Sequence, residues 1–314
     1  MQYSIENDIL RLTVDSHGAE PVSVIHKPTG AELLWQADPA VWKRHAPILF
    51  PYTGKLTGGK MLAKGVEYAG GQHGFARDVE HTMTRHADNL LEFELHANAE
   101  TLPKWPYAFV LRSTFTLEGE TVHHTLTVEN PVEDKLCFGI GYHPAFALPF
   151  DDRHVTEDYE IRFDGVESPL CVSAQPNGLL NGQSYYLARN VEAIQLTDDL
   201  FDNDSHAMVN LRSAHVSVIE KDTGRSVICD VSDFPYTLIW SAPKKPLHFI
   251  CIEPWHSLPG EENGPIDWEQ RPCAAFLSRN CGQVPVPVPP GQHHGLGIQL
   301  VHHAVHDLCP LKAR

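Results

Sequence analysis

The sequence predicts an all-β protein. Three observations carry that expectation. Apolar residues recur at every second position along much of the chain, and Gly and Pro punctuate the runs at short intervals. No apolar stripe at i, i+3, i+4 and i+7 extends beyond about two or three helical turns. Many short strands with such punctuation point to a sandwich or a barrel.

Residues 9–14 and 21–26 are the first strand candidates, followed by 91–96. From 109 to 117 the odd positions are mostly apolar, while Arg112, Thr114 and Thr116 fall on the other face. After Glu118-Gly119 the pattern resumes: Val122, Leu126 and Val128 share one face, and Thr121, His123, Thr125 and Thr127 the opposite one. Two alternating runs around a short Gly-containing turn predict a β-hairpin. The same logic makes a hairpin of 216–220 and 226–230 around Lys221-Asp222-Thr223-Gly224. Residues 159–163, 236–240, 247–252 and 295–301 complete the expected strands. The Pro-rich stretch 284–290 reads as an extended edge segment or loop.

The chain has 314 residues, 42% apolar and 20% charged, which is ordinary globular composition with enough apolar mass for a sizeable core. That length suits one large all-β domain or two ordinary ones. No Gly/Ser or Pro linker divides it, and one domain over 1–314 is expected. Lys plus Arg number 24 against 40 Asp plus Glu, a formal net charge of -16. So acidic a surface repels phosphate backbones and anionic lipid, which argues against nucleic acid and membranes as partners. A small phosphorylated substrate stays possible, because it needs only a local positive pocket. No stretch approaches the ~20 apolar residues of a membrane span. The N-terminus shows no basic patch followed by an apolar run, and no secretory leader is expected. Seven scattered cysteines, an odd number with no C-x-x-C pair, point to reduced thiols and a cytoplasmic setting.

Three segments do not look like ordinary strand or turn filler. They are Gln72-His73-Gly74-Phe75-Ala76-Arg77-Asp78, preceded by Pro47 to Lys55; Gly139-Ile140-Gly141-Tyr142-His143-Pro144-Ala145-Phe146; and Phe249-Ile250-Cys251-Ile252-Glu253-Pro254-Trp255. A His beside a Gly, such as His73, is most often a surface turn residue, and His143 would serve equally to satisfy a buried carbonyl. Glu253 is harder to explain as structure. It follows an apolar run that must be largely buried, and a buried carboxylate is costly unless paired or functional. Pro254 cannot donate to a ladder, so the strand is expected to end there and present Glu253 at its rim. Desolvation between Ile252 and Trp255 should raise its pKa, as at many functional sites.

Together these segments resemble the aldose 1-epimerase (galactose mutarotase) family, in particular its LacX-type branch. The resemblance begins with Gly18-Ala19-Glu20, Gly30, Leu34-Trp35 and Trp42 and runs through the first two segments. It continues with Leu200-Phe201-Asp202-Asn203-Asp204, Phe234 to Trp240 and the Glu253 segment, and ends with Pro290-Gly291 and the last strand. It covers nearly the whole chain in order. The resemblance implies a large antiparallel β-supersandwich with a sugar in a cleft on one sheet, and no cofactor. It matches His143 to the family's general acid, Glu253 to its general base, His73 and Arg77 to substrate-binding positions, and Asp204 to a carboxylate that bonds a sugar hydroxyl. Trp255 offers a flat apolar face to a pyranose ring, with core packing the equal alternative.

The chemistry agrees. Opening a hemiacetal takes the proton from the anomeric hydroxyl and gives one to the ring oxygen, so a base and an acid must stand within about 2.6–3.2 Å of those atoms. No redox change occurs. Two substrates are open: a free aldose, slightly favoured, or a hexose 6-phosphate held by Arg77 with Lys43, Arg44 or Lys55. The segment 261–281 is longer and more irregular than the LacX branch carries, which loosens any inference about substrate. The sequence leaves monomer or homodimer open.

Other classes fare less well. Twenty histidines invite a metal, but the adjacent pairs 123–124, 293–294 and 302–303 would point to opposite faces of a strand, and no ligand set is recognisable. No metal is expected. A non-catalytic carbohydrate-binding protein would not need both His143 and Glu253. A glycosidase needs two carboxylates at about 5–9.5 Å, and only Glu253 is a strong candidate, with Asp204 a distant second.

Overall fold

The computed structural model describes residues 1–133, 135–174, 177–243, 246–271, 275–277 and 294–301, the last two segments by backbone alone. Two antiparallel sheets dominate it. The larger has nine strands, in the order Val191–Gln195, Tyr159–Glu167, His215–Glu220, Ser226–Asp230, His294–Val301, Thr121–Glu129, Val110–Glu118, Leu90–His96 and Thr82–Ala87. The second runs Ser184–Tyr186, Leu170–Val172, His206–Met208, Tyr236–Trp240, Phe249–Trp255, Gly141–Tyr142 and Ile48–Leu49, with Ala145–Ala147 also paired to Phe249–Trp255. A four-stranded sheet from the N-terminus, Gln2 to Glu32, packs alongside. Helix among the described residues is limited to four 3₁₀ turns of three residues each. None is long and apolar enough to cross a membrane.

The predicted hairpins form. Leu117 pairs with Val122 across the 119 turn, and Ile219 with Ser226 across the 221–224 turn. Their odd and even faces separate as the alternation requires: Leu111, Phe115 and Leu117 are buried while Arg112, Thr114 and Thr116 are partly exposed. The predicted strand at 247–252 instead spans Phe249–Trp255 and passes through Pro254. The Pro-rich stretch 284–290 lies outside the described residues.

Pro254 can sit inside a central strand because of the direction its nitrogen faces. Carrying the register of Gly141↔Trp255 and Ala145↔Cys251 through the gap between them sets Tyr142 opposite Pro254, His143 opposite Glu253 and Pro144 opposite Ile252. The amides of Leu148 and His256 donate across this pair of strands, to His248 and Ile140, whereas the Ala145 amide turns away to His45. Even-numbered residues therefore face the neighbouring strand here, and both Pro144 and Pro254 fall where a ladder donor would be needed. Their missing N–H groups break this ladder at positions 142–144. The ladder to Tyr236–Trp240 uses the odd residues and continues past Pro254 to Trp255.

The thiol expectation is met in part. Cys171, Cys229 and Cys251 are free and buried, but Cys137 is half of a disulfide. Spacing along the chain does not reveal cysteines that the fold brings together.

Burial of neutral histidines has a measurable consequence. His124, bonded to Ser113 (2.7 Å), is held at about 3 by desolvation, and His81 at about 4. His143 is held at about 3, and His73 well below its ordinary 6.5. As pH falls below about 6.5, the unfolded chain takes up protons at these four sites that the folded chain refuses. Each such proton costs about 1.4 kcal/mol per pH unit. Their contribution is complete above pH 6.5 and is lost toward pH 4. Glu253, whose pKa is raised, has the opposite sign and offsets one of the four. The urea midpoint is expected to be clearly lower at pH 5 than at pH 7.5; equal midpoints would contradict buried neutral imidazoles.

Candidate active site

Along Phe249–Trp255 the even residues Ile250 and Ile252 enter the main core, while Phe249, Cys251, Glu253 and Trp255 point to the opposite face of the second sheet. His143 joins that face from across the ladder gap. A directly opposed pair that shares no ladder bonds has its Cα atoms about 4.5 Å apart, the closest approach an antiparallel pair offers. The side chains meet accordingly: His143 Nε2 lies 3.3 Å from Glu253 Oε2. Both residues are buried, at 7% and 1% exposure. His143 Nδ1 and Glu253 Oε2 have no hydrogen-bond partner among the described residues.

The surroundings favour the neutral form of each group. Burial first, then the Arg77 charge, pushes the His143 imidazole down to about 3. Burial first, then the Asp204 charge, raises the Glu253 carboxyl well above its usual range, and the Trp255 indole N–H and Arg77 oppose this only in part. Both shifts act in the same sense, toward neutral imidazole and carboxylic acid.

His73 stands edge-on to His143 (5.6 Å) and to Trp255 (5.3 Å). Its backbone is left-handed (φ 66°), as is that of Gly74 (φ 70°). Two consecutive left-handed residues turn the chain sharply and aim the ring at the site. Gly54 fixes it there: its N–H donates to His73 Nδ1 (3.0 Å), and its carbonyl accepts the His73 amide (2.8 Å). With Nδ1 accepting, the proton of this neutral ring is on Nε2. Arg77 donates to the Gln72 carbonyl (2.7 Å) and lies 3.8 Å from Asp78, while its buried Nε is unpartnered among the described residues. Trp255 is closed from solvent and donates its indole N–H to the Tyr142 carbonyl (3.3 Å). Asp204 is exposed in a left-handed turn (φ 75°), near enough to Glu253 for its charge to be felt.

The sequence reading gave no role to Trp42 or Trp240 and named Arg44 only as a candidate phosphate-binding cation. Trp42 stacks on the His143 ring (4.9 Å, 22°), and Trp240 meets that ring edge-on (5.6 Å). Both belong to the recognised segments, but only cross-sheet packing shows what they touch. Arg44, bonded to Asp78 (2.6 Å), adds positive charge near His73 and His143.

Among the described residues, metal donors meet in two places. His143, Cys251 and Glu253 bring ligand atoms within 4.8 Å of one another, as do Asp151, His154 and Glu220. In the first group burial raises the Cys251 thiol well above its ordinary pKa and disfavours the thiolate a metal requires. In the second, Glu220 is already bonded by Arg225, Tyr159 and Thr223. His123 and His124 point to opposite faces, one partly exposed and one buried.

The fold is a two-sheet sandwich with a buried imidazole–carboxyl pair on the outer face of one sheet. The chain belongs to the aldose 1-epimerase family, isomerases acting on carbohydrates: the family model for aldose 1-epimerase matches residues 1–265. The plasmid-encoded protein LacX of Lactococcus lactis subsp. lactis is 33% identical over 266 residues, 82% of this chain and 88% of that protein. A galactose mutarotase related enzyme from Lactobacillus acidophilus superposes with a TM-score of 0.86 at 30% identity, covering 99% of this chain and 100% of that one. A galactose mutarotase-like protein from Lactobacillus casei gives 0.80 at 30% identity, over 96% and 99%.

Proposed function

We propose that the protein is a mutarotase that interconverts the α and β anomers of a neutral aldose, with His143 and Glu253 as the proton-transfer pair. The 3.3 Å separation of His143 Nε2 and Glu253 Oε2 carries this reading. The anomeric oxygen O1 and the ring oxygen O5 share one carbon, so the groups serving them must be close neighbours. Glycosidase carboxyls, at about 5–9.5 Å, stand further apart.

In the reactive form the proton has moved from Glu253 to His143. Glu253 takes the O1 proton, the C1–O1 bond becomes a carbonyl, and the C1–O5 electron pair goes to O5, which receives the proton from His143. The pair is left as neutral imidazole and carboxylic acid, the arrangement that burial favours. Rotation about C1–C2 and the reverse transfers close the ring on the other face. His73 Nε2–H, Arg77 and Asp204 bind sugar oxygens and hold the ring in register. Family membership and the mutarotase-related relatives support this assignment.

Of the candidate phosphate cations, Arg44 and Arg77 share the Asp78 carboxylate, and the two lysines do not join them. Arg44 is bound to Asp78, Lys55 donates to the Asn177 carbonyl (2.7 Å), and Lys43 is exposed. This favours a free aldose over its 6-phosphate. Anomer exchange followed by saturation-transfer NMR on aldoses and their 6-phosphates, corrected for the spontaneous rate, tests the reading; exchange no faster than spontaneous would end it. Arg77→Ala is expected to raise KM more than it lowers kcat, because Arg77 binds rather than transfers a proton. Collapse of kcat at unchanged KM would overturn that role.

A further inference from the structure

An unbroken row of directly paired residues crosses the second sheet from Glu253. It runs Glu253↔Leu238, Leu238↔Ala207, Ala207↔Val172 and Val172↔Ser184. Direct partners share a face, so all five side chains lie on the side that carries His143 and Glu253. Three strand spacings separate Glu253 from Val172, about 14–15 Å. At that end the row enters a cavity of about 540 Å³ floored by Leu170, Val172 and Leu180, with Gln183, Ser184 and Glu261 among its polar lining. Val172 also packs against the buried cluster of Leu49, Ala207, Leu238 and Trp255, beside the catalytic pair.

The segment that departs from the LacX pattern builds the cavity wall. The Leu180 amide donates to the Gly260 carbonyl (2.9 Å), the Glu262 amide returns the bond to Leu180 (2.9 Å), and Asn177 Nδ2 donates to Glu262 Oε1 (2.9 Å). A wall pinned in this way is ready-formed, which lowers the ordering cost of binding.

We propose that this cavity is a second saccharide subsite, and that the substrate is a neutral di- or oligosaccharide with a free reducing end. The inference rests on the mutarotase reading. The reducing unit lies over His143 and Glu253, and the next units reach across the roughly 14–15 Å to the cavity. Apolar floor and polar rim match the C–H faces and hydroxyl edges of a pyranose. Among the described residues no lysine or arginine lines the cavity and Glu261 and Glu262 do, so a phosphorylated or acidic unit is repelled while hydroxyl donors are accepted. The span is too long for one ring and suits two or three.

The test compares kcat/KM for anomer exchange of maltose, cellobiose and lactose with that of glucose, the reducing unit of all three. At least one disaccharide is expected to exceed glucose by about tenfold, the value of one or two net hydrogen bonds. Ser184→Trp, which fills the cavity from an exposed strand, should bring that ratio to about one. Gln183→Ala, on an exposed side chain, should lower it by about threefold and carries the test if the tryptophan variant melts early. A ratio at or below one for all three sugars in the parent protein overturns the proposal, as does a ratio that both folded variants leave unchanged. Calorimetric titration with maltose separates this from failure of the mutarotase reading. If no sugar exchanges faster than spontaneously, binding to the parent but not to Ser184→Trp retains the subsite, whereas equal or absent binding removes it.

Discussion

Glu253→Gln and His143→Asn are each expected to lower mutarotation by about 10²–10⁴ while leaving a folded protein that still binds sugar. Glutamine keeps the shape of Glu253 but cannot hold the anomeric proton. Asparagine keeps a hydrogen bond at 143 but is no useful acid. One concerted transfer needs both partners, so the double variant should be little worse than either single one. The parent should show a broad bell in pH, read as apparent values of a coupled pair. Activity falls at low pH when a second proton enters and leaves imidazolium beside carboxylic acid, with no base. It falls at high pH when the pair loses its last proton and no acid remains. Burial lowers the His143 value and raises that of Glu253, which widens the plateau between the limbs. Saturation-transfer NMR with thermal melts as the folding control decides the matter. A folded single variant retaining more than about a tenth of the parent rate contradicts acid–base catalysis of this size.

Gly74→Ala should do comparable damage by a different route. A Cβ at Gly74 would lie 2.0 Å from the Phe50 carbonyl oxygen and 2.3 Å from its carbon, and the residue sits at φ 70°. That carbonyl cannot retreat freely, because it accepts the amides of Phe75 (3.0 Å) and Ala76 (3.1 Å). Left-handed strain alone costs about 1–3 kcal/mol, and displacing these bonds adds to it. Loss of more than about 3 kcal/mol or failure to fold is expected, with His73 dislodged in any molecules that do fold. A urea midpoint within experimental error of the parent would show that the 50–51 backbone yields easily.

Much of the fold was legible in the sequence because long strands with one buried face write their alternation into it, as 110–118 and 121–129 do. Strands of three residues, such as Leu170–Val172 and His206–Met208, carry too few positions for a period to show. Pro254 was misread for a specific reason: one strand's sequence does not say which neighbour its amides face. His143, Glu253 and His73 stood out through the segments around them, and the fold brings these three together. Trp42 and Arg44 reach the site only through packing between segments far apart in the chain. The cavity at 170–184 depends on pairing with 260–262, which no local pattern encodes.

Pro144 and Pro254 give the sheet a seam. An amide at either position would face the opposite strand and could restore a rung beside His143 and Glu253. Zipping the seam would bind more backbone together between His143 and Glu253. Two absent hydrogens hold a fissure open in the middle of a rigid surface, and the reactive groups sit on its two lips. Neither proline has an amide to exchange, so the fissure would be followed through the neighbouring amides of Tyr142 and Ile252, which face across it. Its opening or closing would also be read from the amides on its borders, Leu148 and His256.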